Sequence, residues 1–321
     1  VLDFVGSQLY NLRVPHFSEI NATTRYCAVL GHPIKHSASP GMHNPAMAAL
    51  GLNWRYLAFD VDPCDLPQAL QGAKRMKFVG LNLTVPHKLL AVELVDELDV
   101  SAQEWGAVNT VQFLARVGGV AKPVWQLDPD QEAEIFTRGY NTDADAITRS
   151  IEEDLGHDIN GSTILLLGAG GAGRVAALKF AAEGVANLFL VNRTMEKAEA
   201  VAEEIRERFP EVNVRCGYPN STVELVVNAT SAGLKATDPL PFDESRWSLS
   251  RAAKAYDMIY RPAETPFLQA ARLAGCKTAN GVGMLLYQGA KALEIWSGEK
   301  PPIALMRDAL LKNVYGTAAG K

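Results

Sequence analysis

Residues 163–194 read TILLLGAGGAGRVAALKFAAEGVANLFLVNRT, and this stretch decides the fold. Its apolar run Ile164 to Leu167 is short, bulky and bounded by turn residues, the pattern of a strand buried on both faces of a parallel sheet. The six residues that follow, Gly168, Ala169, Gly170, Gly171, Ala172 and Gly173, contain G-x-G-x-x-G. The first glycine of that spacing permits a tight strand-to-helix turn, the second lets backbone approach a pyrophosphate, and the third lets helix and strand pack closely. The helix opening there points its free amides at the phosphates. Glycine spacing alone is weak evidence, but the surroundings agree: Gly184 is placed to end the helix, and Leu188 to Val191 to form the second strand of a βαβ unit.

At the end of that second strand an NAD site would offer Asp or Glu to the ribose 2′-hydroxyl, whereas this chain has Asn192 and Arg193. A carboxylate would repel a 2′-phosphate and a guanidinium can grip one through two parallel hydrogen bonds, so the cofactor is read as NADP. Plainer roles exist for the same residues. Arg193 could be a surface charge, Thr194 the N-cap of a helix over 195–209, and Lys197, one turn in, a solvated side chain rather than added charge for the phosphate. The unit could also be Rossmann-like without a nucleotide.

Outward from this centre, 321 residues suffice for two domains, and 48% hydrophobic with 21% charged residues is ordinary globular composition. A net charge of −5 and the lack of a Lys/Arg block give no field for nucleic acid. No apolar run approaches the roughly 20 residues that span a bilayer, and no signal-type apolar core follows a basic N-terminus. A soluble, cytoplasmic chain without a membrane partner is expected. Cys27, Cys64, Cys216 and Cys276 lie far apart with no C-x-x-C pair, which argues against a metal site and against a redox motif. The sequons at Asn82 and Asn192 fall in stretches assigned to ligands, where glycans would block the site, which again fits a cytosolic chain.

Before the glycine turn, residues 1–24 show no periodicity and read as a tail or linker, and the start at Val1 implies processing or a piece of something longer. Tyr26 to Leu30 is a short strand; Ser39 then reads as an N-cap ahead of Pro40, with Gly51 ending the helix. Ser37 and Ser39 thus sit at the positive end of a helix, where hydroxyls beside free amides bind a carboxylate, or where they only turn and cap. Asn53 to Asp60 is the next strand, Leu66 to Ala73 a helix, and Phe78 to Leu83 a buried strand. This last strand leads into Asn82, Thr84, Pro86 and Lys88, with a helix expected from Pro86 through the following LLAVELVDEL. Lys88 in its first turn would meet the positive end of the dipole, which disfavours an ammonium and would make the lysine a usable proton donor near neutrality; the plain alternative is a solvated lysine.

Ala107 to Phe113 is a strand carrying Asn109, and 115–138 is long for a connection, so either a hairpin with an extended tip or a functional flap. Asp143 sits where a helix begins, either as its cap or as the partner of a catalytic cation. Beyond the βαβ unit, Val223 to Val227 is a strand ending at Asn228, and its loop with Thr230 approaches the cofactor. Ala253 to Ile259 and Phe267 to Ala274 complete a nucleotide-binding domain, and the helical spacing over Gly283 to Trp296 returns the chain to the first domain with Gln288, while Tyr287 beside it reads as packing. The expected architecture is α/β in two domains: 25–144 plus 281–321 for substrate and catalysis, and 145–280 for NADP.

The collinear set Ser37-x-Ser39-Pro40, Asn82-x-Thr84-Val85-Pro86-x-Lys88, Gly106-Ala107-Val108-Asn109-Thr110, Asn141-Thr142-Asp143, the glycine turn, Asn192-Arg193-Thr194, Asn228-Ala229-Thr230 and Asn280-Gly281-x-Gly283-Met284 resembles the shikimate dehydrogenase family from about residue 26 to 321. The resemblance implies reversible NADP-dependent reduction of 3-dehydroshikimate to shikimate, in aromatic amino acid biosynthesis, in a cleft between the two domains. It implies Lys88 and Asp143 as the catalytic pair and Ser37 with Ser39 on the substrate carboxylate. Asn82, Thr84, Asn109 and Gln288 would bond the ring hydroxyls and Lys88, and Tyr260 would line the site. It places the glycine turn, Asn192, Arg193, Thr194, Lys197 and Thr230 on NADP, with Met258 and Gly281 near the nicotinamide.

Two departures stand out: 115–138 is longer than the family's usual turn, and Ala146 replaces a common glycine and could shift the helix entry at Asp143. The segment LYNLR, residues 9–13, is faintly similar to the join between dehydroquinase and shikimate dehydrogenase in fused enzymes. A monomer or homodimer, within a longer multifunctional chain or alone, fits the sequence. Competing readings are a quinate/shikimate dehydrogenase using NAD, and a catalytically silent nucleotide-sensing homologue.

Overall fold

The computed structural model describes residues 19–128 and 130–316. In chain order the first half gives β1 (Arg25–Gly31), α1 (Ser39–Ala49), β2 (Trp54–Asp60), α2 (Leu66–Arg75), β3 (Gly80–Leu83), α3 (His87–Leu90), β4 (Glu97–Leu98), α4 (Val100–Trp105), β5 (Thr110–Val117), β6 (Val120–Pro123), β7 (Glu134–Tyr140) and α5 (Asp143–Leu155). The second half gives β8 (Thr163–Leu167), α6 (Gly171–Ala182), β9 (Asn187–Val191), α7 (Met195–Arg208), β10 (Asn213–Cys216), β11 (Val223–Asn228), β12 (Ala252–Asp257), α8 (Pro266–Leu273), β13 (Lys277–Asn280), α9 (Val282–Ser297) and α10 (Ile303–Tyr315).

These strands form two sheets. The first is mixed, in the order β2-β1-β3-β5-β7-β4 with β6 on β5, and β5 runs antiparallel to both β3 and β7. The second is wholly parallel, in the order β10-β9-β8-β11-β12-β13. That is a doubly wound arrangement whose strand order reverses between β8 and β11, and the crevice beyond their C-terminal ends is where such sheets bind ligands. Ile164 to Leu167 are fully buried, as their unbroken apolar run requires.

Helix α9 belongs to the first sheet's core, as its apolar periodicity implies. Leu286, Ala290, Leu293 and Trp296 pack with Cys27, Val29, Met42 and Tyr56, and the Trp296 indole donates to the Val111 carbonyl across the sheet. Gly80 is the residue that admits this indole, because a Cβ there would collide with the ring. Traffic also runs the other way: Trp105 and Ala107, before the glycine turn, pack in the core of the second sheet beside Ile147, Ile151 and Val175.

Within 115–138, β5 and β6 form a hairpin, and β7 then returns to pair with β5. Gly118 and Gly119, at φ +57° and +82°, make the two-residue turn between β5 and β6. Trp125 then donates its indole N–H to the Trp296 carbonyl. Residues 9–13 lie outside the described residues. No helix among the described residues is long and apolar enough to cross a membrane.

Candidate active site

One cleft of about 310 Å³ opens between the C-terminal ends of the two sheets. Ser37, Ser39, Asn82, Thr84, Lys88, Asp143, Ala172, Met258, Tyr260, Gly281 and Gln288 all line it, although they are spread across most of the chain. At its centre the Lys88 ammonium donates to Asp143 Oδ2 at 2.7 Å; the Asp143 side chain is 9% exposed and that of Lys88 25%.

Local structure sets that pair differently from the sequence expectation. The helix carrying Lys88 is one turn, His87 to Leu90, followed by a 3₁₀ turn at Ala91 to Glu93, and not the long helix expected. One turn supplies little dipole, and what Lys88 meets is the carboxylate. Asp143 does begin α5 but does not cap it. Asn141 does so, its Oδ1 accepting from the N–H groups of Asp143 (3.0 Å) and Ala144 (3.2 Å). Ala146 is buried within a regular α5, and the helix entry still brings Asp143 to Lys88. At α1 the N-cap is Ala38, one residue earlier than expected; Ser39 is the first helical residue, and its N–H donates to Ser37 Oγ at 3.4 Å.

The substrate-side wall is cross-tied. Asn82 donates through Nδ2 to the Asn109 carbonyl (3.2 Å) and Thr110 Oγ1 (3.0 Å), and its Oδ1 accepts from the Tyr56 hydroxyl at 2.7 Å. Asn109, expected on the ring hydroxyls, does not line the cleft. It is 1% exposed, and it donates one amide N–H to Thr142 Oγ1 while its Oδ1 accepts from the Thr142 backbone N–H. Asn109 thereby fixes the residue before Asp143. Tyr56 and His43, which the sequence did not bring forward, stand behind this wall as stacked rings 4.2 Å apart. His43 is fully buried, and burial holds its imidazole down to about 3.

The nucleotide-side wall is the glycine turn. Gly168 has φ +107°, and a Cβ there would press on Thr230 and Ala229; a Cβ at Gly173 would collide with the Gly168 carbonyl. Gly170 and Gly171 face open space, which leaves their backbone free for a pyrophosphate. Asn192 turns inward, its Oδ1 accepting from Ala169 N–H at 3.0 Å. Arg193, Thr194 and Lys197 are exposed, and Thr194 occupies the N-cap position of α7 without a side-chain bond. The donor set fits a phosphorylated dinucleotide: amides at a helix start, and at Arg193 a guanidinium without an ion pair among the described residues, where a carboxylate would exclude a 2′-phosphate.

A buried carboxyl joins the two walls. Asp257, 0% exposed, accepts from Asn228 Nδ2, Ile259 N–H and the Thr265 hydroxyl, and burial raises it to about 6 against those bonds. Asn228 in turn accepts from Thr230, beside Gly168, while the segment after Asp257 carries Met258 and Tyr260 into the cleft. The Tyr260 hydroxyl reaches the His36 carbonyl at 3.3 Å, bridging the cleft. Gly281 lies against the Met258 carbonyl too closely for any side chain.

Family comparison agrees with this geometry. The shikimate dehydrogenase substrate-binding domain matches residues 29–111, the shikimate/quinate 5-dehydrogenase model 150–233, and the shikimate 5′-dehydrogenase C-terminal domain 281–311. A shikimate dehydrogenase (NADP(+)) of Methanopyrus kandleri is 38% identical over 302 residues, 92% of this chain and 98% of the relative. The chain belongs to the shikimate dehydrogenase family. A crystal structure of a shikimate dehydrogenase in complex with NADP+ superposes with a TM-score of 0.79 at 36% identity, covering 92% of this chain and 98% of that one. The Thermus thermophilus shikimate 5-dehydrogenase, in complex with NADP(H) and shikimate, gives 0.73 at 34% identity, covering 90% and 99%. These two solved structures thus share the fold over nine-tenths of this chain.

Proposed function

We propose that the protein is an NADP-dependent shikimate dehydrogenase that interconverts 3-dehydroshikimate and shikimate. The observation that carries the reading is the Lys88–Asp143 pair at 2.7 Å, in a cleft lined also by Ala172 of the glycine turn and by Ser37 and Ser39 at the start of α1. When bound, the nicotinamide supplies or takes up the hydride. In reduction the substrate carbonyl oxygen gathers negative charge and needs a proton, which Lys88 donates from Nζ; in oxidation Lys88 takes it back. Asp143, held by the Asn141 cap and the Thr142–Asn109 clamp, orients the ammonium and offsets its charge.

Ser37 and Ser39 take the substrate carboxylate at the helix start, where backbone amides add to the hydroxyls. Asn82 has both amide protons committed, so it offers a substrate hydroxyl only an acceptor lone pair. Thr84 and Gln288 complete the ring contacts, and Tyr260 closes the site. Arg193, with Thr194, grips the 2′-phosphate.

The rival within the family is a quinate/shikimate dehydrogenase using NAD. Initial rates for shikimate with NADP+ against quinate with NAD+ decide between them. We expect kcat/KM to favour the first pair by at least tenfold, and a preference for quinate with NAD+ would end the assignment. Retention of Lys88, Asp143 and both serines in one cleft supports catalysis over a silent sensor, for which neither pair would turn over.

A further inference from the structure

A second cavity, of about 360 Å³, lies beyond the ends of β9 and β10, lined among others by Asn192, Arg193, Met195, Tyr218, Asp243 and Arg246. It sits where the strand after the glycine turn hands over the ribose, and it holds two guanidiniums from distant parts of the chain. We propose that Arg246 is the second cation of the 2′-phosphate site, acting with Arg193 to select NADP over NAD. This inference rests on the NADP reading above.

A 2′-phosphate carries close to two negative charges near neutral pH and three acceptor oxygens, more than one guanidinium can match. Arg193 and Arg246 form no ion pair within the described residues, so their donors remain for a ligand. Arg246 is nonetheless held in place: its guanidinium lies over the Tyr218 ring, 5.2 Å from the centroid, a contact that consumes none of its five N–H donors. Tyr218 is itself fixed, its hydroxyl accepting from Asp243 N–H at 2.8 Å.

Asp243, the acid among the residues lining the cavity, is partly occupied. The Asp243 carboxylate accepts from the Ser245 hydroxyl (2.6 Å) and N–H (2.9 Å), and these bonds, with Arg246 nearby, hold it below the usual carboxylate range. Lys197, the cation suggested by sequence proximity to Arg193, does not line this cavity. Arg246 was invisible to that reasoning because it arrives on the long loop after β11, with no motif to mark it.

The test is direct binding of NADP+ and NAD+ to the intact protein by calorimetry, for wild type and for Arg193→Ala, Arg246→Ala and Lys197→Ala. Arg246→Ala is expected to weaken NADP+ binding about tenfold, the scale of a lost charge-assisted contact, while NAD+ binding stays within about twofold. Lys197→Ala should leave the NADP+/NAD+ ratio near that of wild type. The inference is overturned if Arg246→Ala leaves NADP+ binding intact, if it weakens both cofactors alike, or if Lys197→Ala produces the selective loss instead. Loss of discrimination in Arg193→Ala alone would refute Arg246 while keeping the NADP reading. Equal wild-type affinity for NADP+ and NAD+ would refute both.

Discussion

The two walls of the cleft are built on opposite plans. On the substrate side several polar groups are tied before any ligand arrives: Asn82 to Tyr56, Asn109 and Thr110, Asn109 to Thr142, Lys88 to Asp143. On the nucleotide side Gly170 and Gly171 face open space, and Arg193 and Arg246 are exposed. A tied wall presents a fixed set of donors and acceptors to a small rigid substrate and loses little entropy when it binds. An open wall leaves backbone amides and cations available to a long, charged cofactor. Geometric precision is therefore concentrated on one side and charge on the other, and substitutions on the two sides should fail differently.

The largest difference is expected at Lys88. Lys88→Ala should lower turnover by about 10² to 10⁴, since a proton donor at the reacting oxygen is removed. Calorimetric NADP+ affinity should stay within about threefold, because the open wall is untouched. Unchanged turnover would take Lys88 out of the chemistry, and lost cofactor binding would show that the walls are not separable.

Next comes the acid response of the tied wall. His43 stays neutral in the fold to about pH 3 but protonates near 6.5 when unfolded, so it withdraws stability as pH falls from 6.5 toward 3. At pH 4 its share of the loss is about 3 kcal/mol. Asp257 acts in the opposite sense. Its ionised form costs stability above about pH 6, and that cost is relieved as pH falls toward 4. Urea midpoints at pH 7 and pH 4 should separate them, with His43→Phe losing less stability on acidification than wild type. Parallel profiles would mean that the buried imidazole is not what yields to acid.

Tyr56→Phe is the smallest of these changes. It removes one donor from Asn82 Oδ1 without opening a cavity, about 1 kcal/mol of positioning. We expect the KM for shikimate to rise about fivefold with kcat and the KM for NADP+ nearly unchanged. A fall in kcat with KM preserved would place Tyr56 in the transition state instead.

The same contrast explains what could be read from the sequence. The open wall is local: a strand, three glycines, a helix and the end of the next strand lie within residues 163–194, and the spacing itself carries the chemistry. Lys88 and Asp143 were reached through short motifs as well. The ties were not legible, because Tyr56 to Asn82, Asn109 to Thr142 and Asp257 to Asn228 depend on sheet order and register. Asn109 shows what a motif leaves out: its bonds to Thr142, which lies beyond β7, come from the fold and are not written in the residues beside it. The helix expected after Pro86 differs for a related reason: the pattern of residues 89–98, LLAVELVDEL, suits a helix but breaks into a single turn, a 3₁₀ turn and the short β4.

The central claim is that Lys88 and Asp143 act as one unit, and a double-mutant cycle of kcat for shikimate oxidation tests it most directly. Lys88→Ala, Asp143→Asn and the double variant are compared with wild type at one pH and saturating cofactor. If the pair is a unit, the double variant is no slower than the slower single by more than about threefold. Losses that multiply in full would contradict the account and leave the 2.7 Å contact as a surface detail of the cleft.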